Sequence, residues 1–279
     1  MNIAIVGVGL IGGSLALSLK ELGIFAKIIG VDKSKENQAK ALELGLVDEF
    51  MPLDKAISAS KAIVLAAPVD SIEKMVLDVL NQIEDQIIVD MGSTKVRILD
   101  KIADHPKRGR YLAAHPMAGT EYSGPQAAIK GLFTDKVMVY VEAFKTDEDA
   151  FELCDQIIER LQMKTVFMNA LEHDMHTAYV SHISHLTSFA LALTVLEKEK
   201  SHGRIFELAG SGFESTVRLA KSSSDMWTPI FKQNRENVLE VLEEHINQLK
   251  NLHDTLEKED YTELKRLIKR SNRIQRIIK

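Results

Sequence analysis

The chain opens with a strand-like run that leads directly into a glycine turn and a helix-compatible segment. Residues 2–6 form a short, mostly apolar run, and Gly7, Gly9 and Gly12 follow in a GxGxxG spacing. Gly7 permits a tight turn, Gly9 lets a backbone approach a pyrophosphate, and Gly12 lets the helix pack closely on the sheet. The pattern predicts a dinucleotide bound at the N-terminus of the first helix.

An acidic residue at the end of the second predicted strand supports this interpretation. Asp32 follows Gly12 by 20 residues, the spacing of a carboxylate that hydrogen-bonds the adenosine ribose. Its charge favours NAD over NADP, although Lys33 and Lys35 weaken that preference. The alternative is a glycine turn with no ligand. The residues expected at the cofactor are Gly7, Gly9, Leu10, Ile11, Gly12, Asp32, Ala67 and Pro68.

Short β-prone runs alternate with amphipathic stretches over the first 168 residues. The predicted strands are 2–6, 27–31, 62–66, 86–90, 111–114, 136–141 and 164–168. Successive βα units of this kind form a largely parallel, doubly wound sheet. The fold class is therefore α/β, with a Rossmann-type dinucleotide-binding domain over residues 1–168.

Strand signals stop after residue 168, and residues 169–279 read as an all-helical domain. One long helix is predicted from Glu172 to Glu197. Shorter helices, broken at Gly210 and Gly212, are predicted after it. From Pro229 to the end the chain is predicted to be helical, with a break near 258–261. Apolar residues then alternate in steps of four and three along one face. They are Val238, Leu242, Leu249, Leu252 and Leu256, with His245 in the same register. Such a heptad-like seam needs a partner helix and predicts dimerisation.

Composition excludes several classes of protein. The chain has 279 residues, 45% of them hydrophobic, and a net charge of −5, which gives no reason to expect nucleic-acid binding. Its single cysteine, Cys154, fits a buried structural role in a reduced compartment. The first strand starts at residue 2 without an export signal, and the apolar run 186–196 is too short to span a bilayer. We expect a cytoplasmic protein with no membrane partner.

Two strand ends carry side chains suited to chemistry, and ligands of open α/β sheets bind at such ends. The turn after strand 86–90 presents Ser93. The strand at 111–114 ends in His115, and Pro116 holds that histidine in an extended conformation. An imidazole titrates near neutral pH and suits the removal of a proton from an alcohol. A buried structural histidine is the alternative.

Two clusters in the helical region are further candidates. Four histidines between residues 172 and 185 lie at helical spacing, which fits a polar substrate-facing helix, a metal site or a solvated face. No His-Glu-x-x-His pattern is present, and the chain offers no cysteine partner, so no metal is expected. Arg218 follows a glycine-bearing loop and suits either a carboxylate clamp or a surface ion pair.

Taken together, these segments resemble the prephenate dehydrogenase family, of which arogenate dehydrogenases are close relatives. The resemblance is carried by the GxGxxG turn with Asp32, Asp90-x-Gly92-Ser93-x-Lys95, His115-Pro116-Met117-Ala118-Gly119-Thr120-Glu121, Ser181-His182-Ile183-Ser184-His185, and Arg218 with Met226-Trp227. The family often has a proline inside the fourth motif, where this chain has Ile183-Ser184. We expect that difference to alter the bend of the helix rather than the chemistry.

The resemblance implies roles for individual residues. His115 would be the catalytic base that hydrogen-bonds the substrate's ring hydroxyl, and Ser93 would orient it near the nicotinamide. Arg218 would bind a substrate carboxylate. The other implied substrate-binding residues are His185, Ser181, Glu121, Thr120 and Gly119.

The resemblance also implies NAD-dependent oxidative decarboxylation of prephenate to 4-hydroxyphenylpyruvate, in tyrosine biosynthesis, by a homodimer assembled through the helical domain. Three alternatives stay open at this point. The chain could act on arogenate, or be another dehydrogenase with a Rossmann domain and a helical dimerisation domain, of the β-hydroxyacid or pyrroline-5-carboxylate reductase type. It could also be a dimer that senses NAD without turnover.

Overall fold

A computed structural model describes residues 1–277 of the chain. The described chain forms two compact units. The first spans residues 1–234, and the described part of the second spans residues 235–277. The first unit contains the whole sheet and every residue proposed for the site. The second consists of the last two long helices.

An eight-stranded sheet forms the centre of the first unit. Its strands are β1 (Asn2–Val6), β2 (Lys27–Val31), β3 (Glu49–Phe50), β4 (Ala62–Leu65), β5 (Ile87–Asp90), β6 (Tyr111–Pro116), β7 (Val137–Val141) and β8 (Lys164–Met168). Their order across the sheet is β3-β2-β1-β4-β5-β6-β7-β8. The chain thus leaves β1 toward one edge and returns beside it at β4, which creates the crevice where doubly wound sheets bind ligands.

The sheet is parallel from β3 to β6, and β7 then pairs with β6 in the antiparallel direction, with His115 opposite Val139. Central strands β1, β4 and β5 are almost completely buried, as expected for strands covered by helices on both faces. Two apolar clusters, one on each face, form the core. The fold class predicted from the sequence is confirmed.

Helices cover both faces of the sheet and continue the chain after β8. In the first unit they are α1 (Leu10–Leu22), α2 (Lys35–Glu43), α3 (Leu53–Ala59), α4 (Val69–Gln82), α5 (Val96–Ile102), α6 (Glu148–Arg160), α7 (Ala170–Thr177), α8 (Ile183–His202), α9 (Ser211–Val217) and α10 (Ser224–Gln233). A capping box, in which Asn169 and Glu172 bond each other's backbone N–H groups, starts α7.

Several details differ from the sequence predictions. The two-residue strand β3 was not predicted, because so short a segment carries no alternating pattern. The single helix expected from Glu172 to Glu197 is divided by a π-helical turn at Ala178–His182. Gly212 lies inside α9 rather than at a break. Pro229 lies inside α10, which begins earlier, at Ser224.

The run of helix from Ala170 to Ser201 is long and apolar enough to cross a membrane by length and composition alone. That criterion is weak evidence, since core helices of soluble proteins also meet it. The same run carries His173, Asp174 and His182, which are buried and form hydrogen bonds inside the first unit. We therefore treat it as a helix of the site.

The second unit is a pair of helices, α11 (Arg235–Glu257) and α12 (Tyr261–Ser271). The chain breaks between them at 258–260, where the sequence predicted a break. Within the predicted seam, Leu249, Leu252 and Leu256 are exposed. Residues 278 and 279, which end the predicted C-terminal helix, lie outside the described residues. The domain boundary predicted at 168/169 coincides with the end of β8 and stays a prediction.

Candidate active site

A cavity of about 650 Å³ opens at the carboxyl ends of β1, β2 and β4. Four of the predicted cofactor residues line it: Gly7, Asp32, Ala67 and Pro68. Most of the other lining residues were not predicted from the sequence; they include Asn37, Gln38, Phe50, Met51, Pro52, Leu53, Ser71 and Met75. These residues come from loops and helix starts that carry no motif.

The glycine turn beside this cavity fits a dinucleotide. Gly7 has a φ of +89°, in the region that only glycine adopts easily. A Cβ on Gly12 would lie 2.0 Å from the Gly7 carbonyl oxygen, whereas a Cβ on Gly9 would meet nothing within 4 Å. No side chain caps the N-terminus of α1, so the N–H groups of its first turn, at Leu10 and Ile11, face an open approach suited to a pyrophosphate.

Asp32 lies on the wall of the cavity, and its position is fixed by backbone donors. Its Oδ1 accepts a hydrogen bond from the Ser34 N–H at 2.9 Å, and its Oδ2 accepts one from the Val8 N–H at 3.4 Å. Gln38 donates to the Asp32 carbonyl at 2.6 Å. The carboxylate is thereby held beside the space that an adenosine ribose would fill.

His115 is the first member of a chain of three buried or partly buried side chains. Its Nδ1 lies 2.8 Å from His173 Nε2, and His173 Nδ1 lies 2.7 Å from Asp174 Oδ1. The backbone N–H groups of Lys95 and Val96 donate to the two oxygens of Asp174 at 2.8 and 3.0 Å. The carboxylate is therefore fixed at the start of α5, and it orients His173 toward His115.

This geometry defines which nitrogens carry protons. An ionised Asp174 can only accept, so His173 donates from Nδ1 and keeps a lone pair on Nε2. His115 then donates from Nδ1 to His173 Nε2. The remaining nitrogen of His115, Nε2, is left with a free lone pair.

Burial lowers the pKa of His115 well below the usual imidazole value, and the neighbouring His173 and Lys95 lower it further. Burial also lowers the pKa of His173, although Asp174 opposes this effect. Both rings are therefore neutral at physiological pH. A neutral His115 is able to accept a proton.

Ser93 lies in the turn between β5 and α5 and is partly exposed. A completely buried ion pair joins the two sides of this turn, and in it Lys95 Nζ donates to Asp90 Oδ2 at 2.7 Å. Asp90 Oδ1 also accepts from the Gly92 N–H at 2.7 Å. These bonds fix the backbone on both sides of Ser93. The structure places Ser93 and His115 at the ends of neighbouring strands, without a hydrogen bond between them among the described contacts.

Arg218 and Glu121 come together across 97 residues of sequence, with Arg218 Nη1 at 2.5 Å from Glu121 Oε2. The Glu121 side chain is only 9% exposed, and that of Arg218 is 49% exposed. The pKa of Glu121 is lowered first by its own backbone N–H and then by Arg218. Arg218 is therefore a partly exposed cation held against the segment that follows His115.

The other predicted substrate-binding residues lie on two segments. His185 donates from Nδ1 to the Ser181 carbonyl at 3.0 Å and stacks on Trp227 with ring centroids 3.5 Å apart. Gly119 is exposed, and the Thr120 hydroxyl accepts from the Tyr122 N–H at 3.3 Å. Thr120 and Gly119 belong to the segment that joins His115 to Glu121, so they lie between the histidine and the arginine contact.

Two adjacent residues at the end of α10, which the sequence did not indicate, connect this helix to α4 and α7. Asn234 donates to the Asp174 carbonyl at 2.6 Å and contacts His182 Nδ1 at 3.2 Å. Gln233 donates to the Val69 carbonyl at 3.0 Å. His173 was seen only as part of a histidine cluster. Contacts over such long separations have no signal in local sequence.

A dinucleotide cavity, a neutral histidine at a strand end and an arginine bonded to the segment after that histidine define the class of the protein as a nicotinamide-dependent dehydrogenase. The comparisons with known proteins agree with this class. Residues 15–167 match the family model described as prephenate dehydrogenase, nucleotide-binding domain, and residues 169–270 match the model described as prephenate dehydrogenase, dimerization domain. The chain belongs to the prephenate dehydrogenase family.

Individual relatives support the assignment. The chain is 32% identical to prephenate dehydrogenase of Bacillus subtilis over 275 residues, covering 96% of this chain and 73% of that protein. A crystal structure of Aquifex aeolicus prephenate dehydrogenase in complex with hydroxyphenyl propionate and NAD+ superposes with a TM-score of 0.90 at 29% identity, covering 100% and 98% of the chains. Synechocystis arogenate dehydrogenase gives 0.75 at 26% identity, covering 99% of each chain.

These matches confirm the predicted family, the dehydrogenase class and the dependence on NAD. They do not support the β-hydroxyacid and pyrroline-5-carboxylate reductase alternatives, since both halves of the chain match prephenate dehydrogenase models. The roles of individual site residues stay predictions.

Proposed function

We propose that this enzyme oxidises prephenate with NAD and releases carbon dioxide, which gives 4-hydroxyphenylpyruvate for tyrosine synthesis. The observation that carries the proposal is the His115–His173–Asp174 chain at the carboxyl end of the sheet. It supplies a neutral base on the same side of the molecule as the cofactor cavity. Family membership and the relatives of this name support the same reaction.

In the proposed reaction His115 Nε2 accepts the proton of the ring hydroxyl. Bound NAD supplies the hydride acceptor. His115 becomes an imidazolium, and His173 and Asp174 stabilise its positive charge through the two hydrogen bonds that link them. Ser93, held at the end of β5, donates a further hydrogen bond that positions the hydroxyl.

Removal of the hydride and the proton leaves a ketone conjugated with the ring carbon that carries the carboxylate. The bond to that carboxylate then breaks and carbon dioxide leaves. The electron pair moves through the ring to the ketone oxygen, which takes back the proton held by His115, and the ring becomes an aromatic phenol. Aromatisation supplies the driving force. Arg218 therefore needs only to hold a carboxylate, while His185, Ser181, Glu121, Thr120 and Gly119 form the walls of the pocket.

The low pKa of His115 predicts the pH dependence of this reaction. Because the pKa is depressed, His115 stays neutral as the pH falls through 6.5, the usual imidazole value. We expect kcat/KM for prephenate to stay constant from pH 8 down to about 6.5 and to fall only in more acidic solution. An activity loss centred at or above the usual imidazole pKa would contradict the burial argument. The profile of kcat/KM against pH gives the pH at which activity is lost, and thermal melting at each pH is the control for folding.

Asp32 predicts the choice of cofactor. The carboxylate repels a 2′-phosphate, so kcat/KM with NAD should exceed that with NADP by at least about 10-fold, because like charges in contact cost several kcal/mol. Asp32→Asn should lower the ratio of kcat/KM with NAD to kcat/KM with NADP. Asp54 is an exposed aspartate on α3, and Asp54→Asn should leave this ratio unchanged. Equal use of both cofactors by the wild-type enzyme would refute the prediction.

One assay tests the proposed function as a whole. Prephenate and arogenate are each given to the enzyme with NAD, and NADH formation is followed by absorbance. We expect rapid reduction with prephenate and slower reduction with arogenate. NAD binding without reduction by either compound would favour the NAD-sensing dimer instead.

We also propose that the enzyme is a cytoplasmic homodimer. The match of residues 169–270 to a dimerization domain supports it, as do the exposed leucines of α11, Leu249 and Leu256, at 53% and 54% exposure. Analytical ultracentrifugation should give a dimer for the wild type and a monomer for Leu249→Glu/Leu256→Glu. Lys250→Glu, an exposed change on the same helix, is the control and should remain dimeric. A wild-type monomer at micromolar concentration would rule the dimer out.

A further inference from the structure

A short 3-10 turn that contacts Glu121 through Arg218 carries two cations. The turn spans Arg218–Lys221, and in a 3-10 helix residues three apart lie on the same side. Arg218 and Lys221 therefore project from one side of the turn. Their side chains are 49% and 53% exposed, so both are accessible to a ligand that enters from solvent.

The carboxylates around this turn do not pair equally closely with the two cations. Glu121 is 9% exposed and lies 2.5 Å from Arg218. Lys221 Nζ lies 3.7 Å from Glu214 Oε1, whose side chain is 73% exposed, and such a long, solvated pair contributes little. Lys221 also lies close enough to lower the pKa of Glu121. The ammonium group of Lys221 is thus near the Arg218–Glu121 pair but is not held by it.

The proposed substrate has two negative charges. Prephenate carries its ring carboxylate and its pyruvyl side chain on the same ring carbon, opposite the carbon with the hydroxyl group. When the hydroxyl meets His115, both carboxylates point away from the histidine together. A single arginine, already bonded to Glu121, leaves one of the two carboxylates without a partner.

We propose that Lys221 is a specificity-determining residue that binds the side-chain carboxylate of prephenate, while Arg218 binds the other carboxylate. This inference rests on the proposed function. It names a second cation for a dianionic substrate, and the two cations are positioned by one turn of the chain.

The same arrangement selects against an amino group on the substrate side chain. Arogenate has an ammonium group where prephenate has a ketone, and that group would lie near the ammonium of Lys221, where like charges repel. Glu121, which could compensate for this repulsion, is engaged by Arg218, and Glu214, 3.7 Å from Lys221, is too exposed to contribute much. Lys221 therefore favours the keto acid through repulsion as well as attraction.

Steady-state kinetics of Lys221→Gln with both substrates tests the inference. We expect KM for prephenate to rise about 10-fold, as for loss of a hydrogen bond to a charged group, with kcat within about two-fold of wild type. The ratio of kcat/KM for prephenate to that for arogenate should fall. Lys221→Arg should restore most of the affinity, and KM for NAD should not change.

Lys200→Gln is the matched control, because Lys200 is also an exposed lysine paired with a glutamate on a helix, at 2.7 Å from Glu197. It should leave all constants unchanged. An unchanged KM for prephenate in Lys221→Gln would overturn the inference, and equal losses for both substrates would overturn the selection against arogenate. If the wild-type protein reduced NAD with neither substrate, the proposed function would fail first, and the role of Lys221 would fail with it.

Discussion

Replacement of His115 with asparagine is expected to lower kcat by about 10² to 10⁴, the usual range for removal of a general base. Asparagine keeps a polar side chain of similar size but cannot accept the hydroxyl proton. KM for NAD should change little, because His115 is not among the residues that line the cofactor cavity. Steady-state kinetics at saturating NAD, together with an NAD binding measurement, separates the two effects.

His176→Asn is the matched control for this prediction. His176 lies in the same histidine cluster, but it is exposed, and its replacement should leave kcat unchanged. A thermal melt of each variant shows that both are folded. Turnover of His115→Asn close to that of the wild type would remove His115 from the mechanism.

Replacement of Arg218 with alanine is expected to act mainly on substrate binding. A hydrogen bond to a charged group contributes about 1.5–3 kcal/mol, so KM for prephenate should rise about 10- to 100-fold. The change also leaves Glu121 without its cation, and the freed carboxylate then repels the substrate. Because the carboxylate is held similarly before and during the reaction, kcat should fall much less than kcat/KM.

The control is Arg204→Ala, since Arg204 is an exposed arginine bonded to a glutamate, Glu207, at 2.9 Å. Its replacement should change neither constant. A large loss of kcat in Arg218→Ala with an unchanged KM would show that Arg218 acts on the chemical step instead.

Local sequence was sufficient to predict most of the sheet. Each of the seven predicted strands is present. Most of them are short apolar runs bounded by turn residues, the pattern of buried strands in a parallel sheet, whereas β8 is largely exposed. β3 has only two residues and no such run. The reversed direction of β7 was also absent from the prediction, since direction depends on the path of the chain rather than on the composition of a strand.

The site was predictable where it follows a strand end or a motif. Ser93 and Asp32 follow strands, and His115 is the residue before the last in β6. Parallel strands bring their carboxyl ends to one edge of the sheet. His173 is 58 residues from His115, and its neighbours suggested only a polar helix face. Its function as a hydrogen-bond partner depends on how α7 packs beside the sheet, which no local pattern specifies.

Trp227 illustrates the same limit. The sequence marked it only as a residue beyond Arg218, whereas the folded chain stacks it on His185. Asn234 carried no signal at all, because an asparagine at a helix end is common. In both cases the contact is made between helices that are distant along the chain.

In the proposed reaction the enzyme couples oxidation of the ring hydroxyl to loss of the carboxylate. The most direct test measures products from a known amount of prephenate with excess NAD. We expect equal amounts of NADH, carbon dioxide and 4-hydroxyphenylpyruvate, all formed at the same rate. NADH formed without carbon dioxide, or carbon dioxide released without NADH, would contradict it.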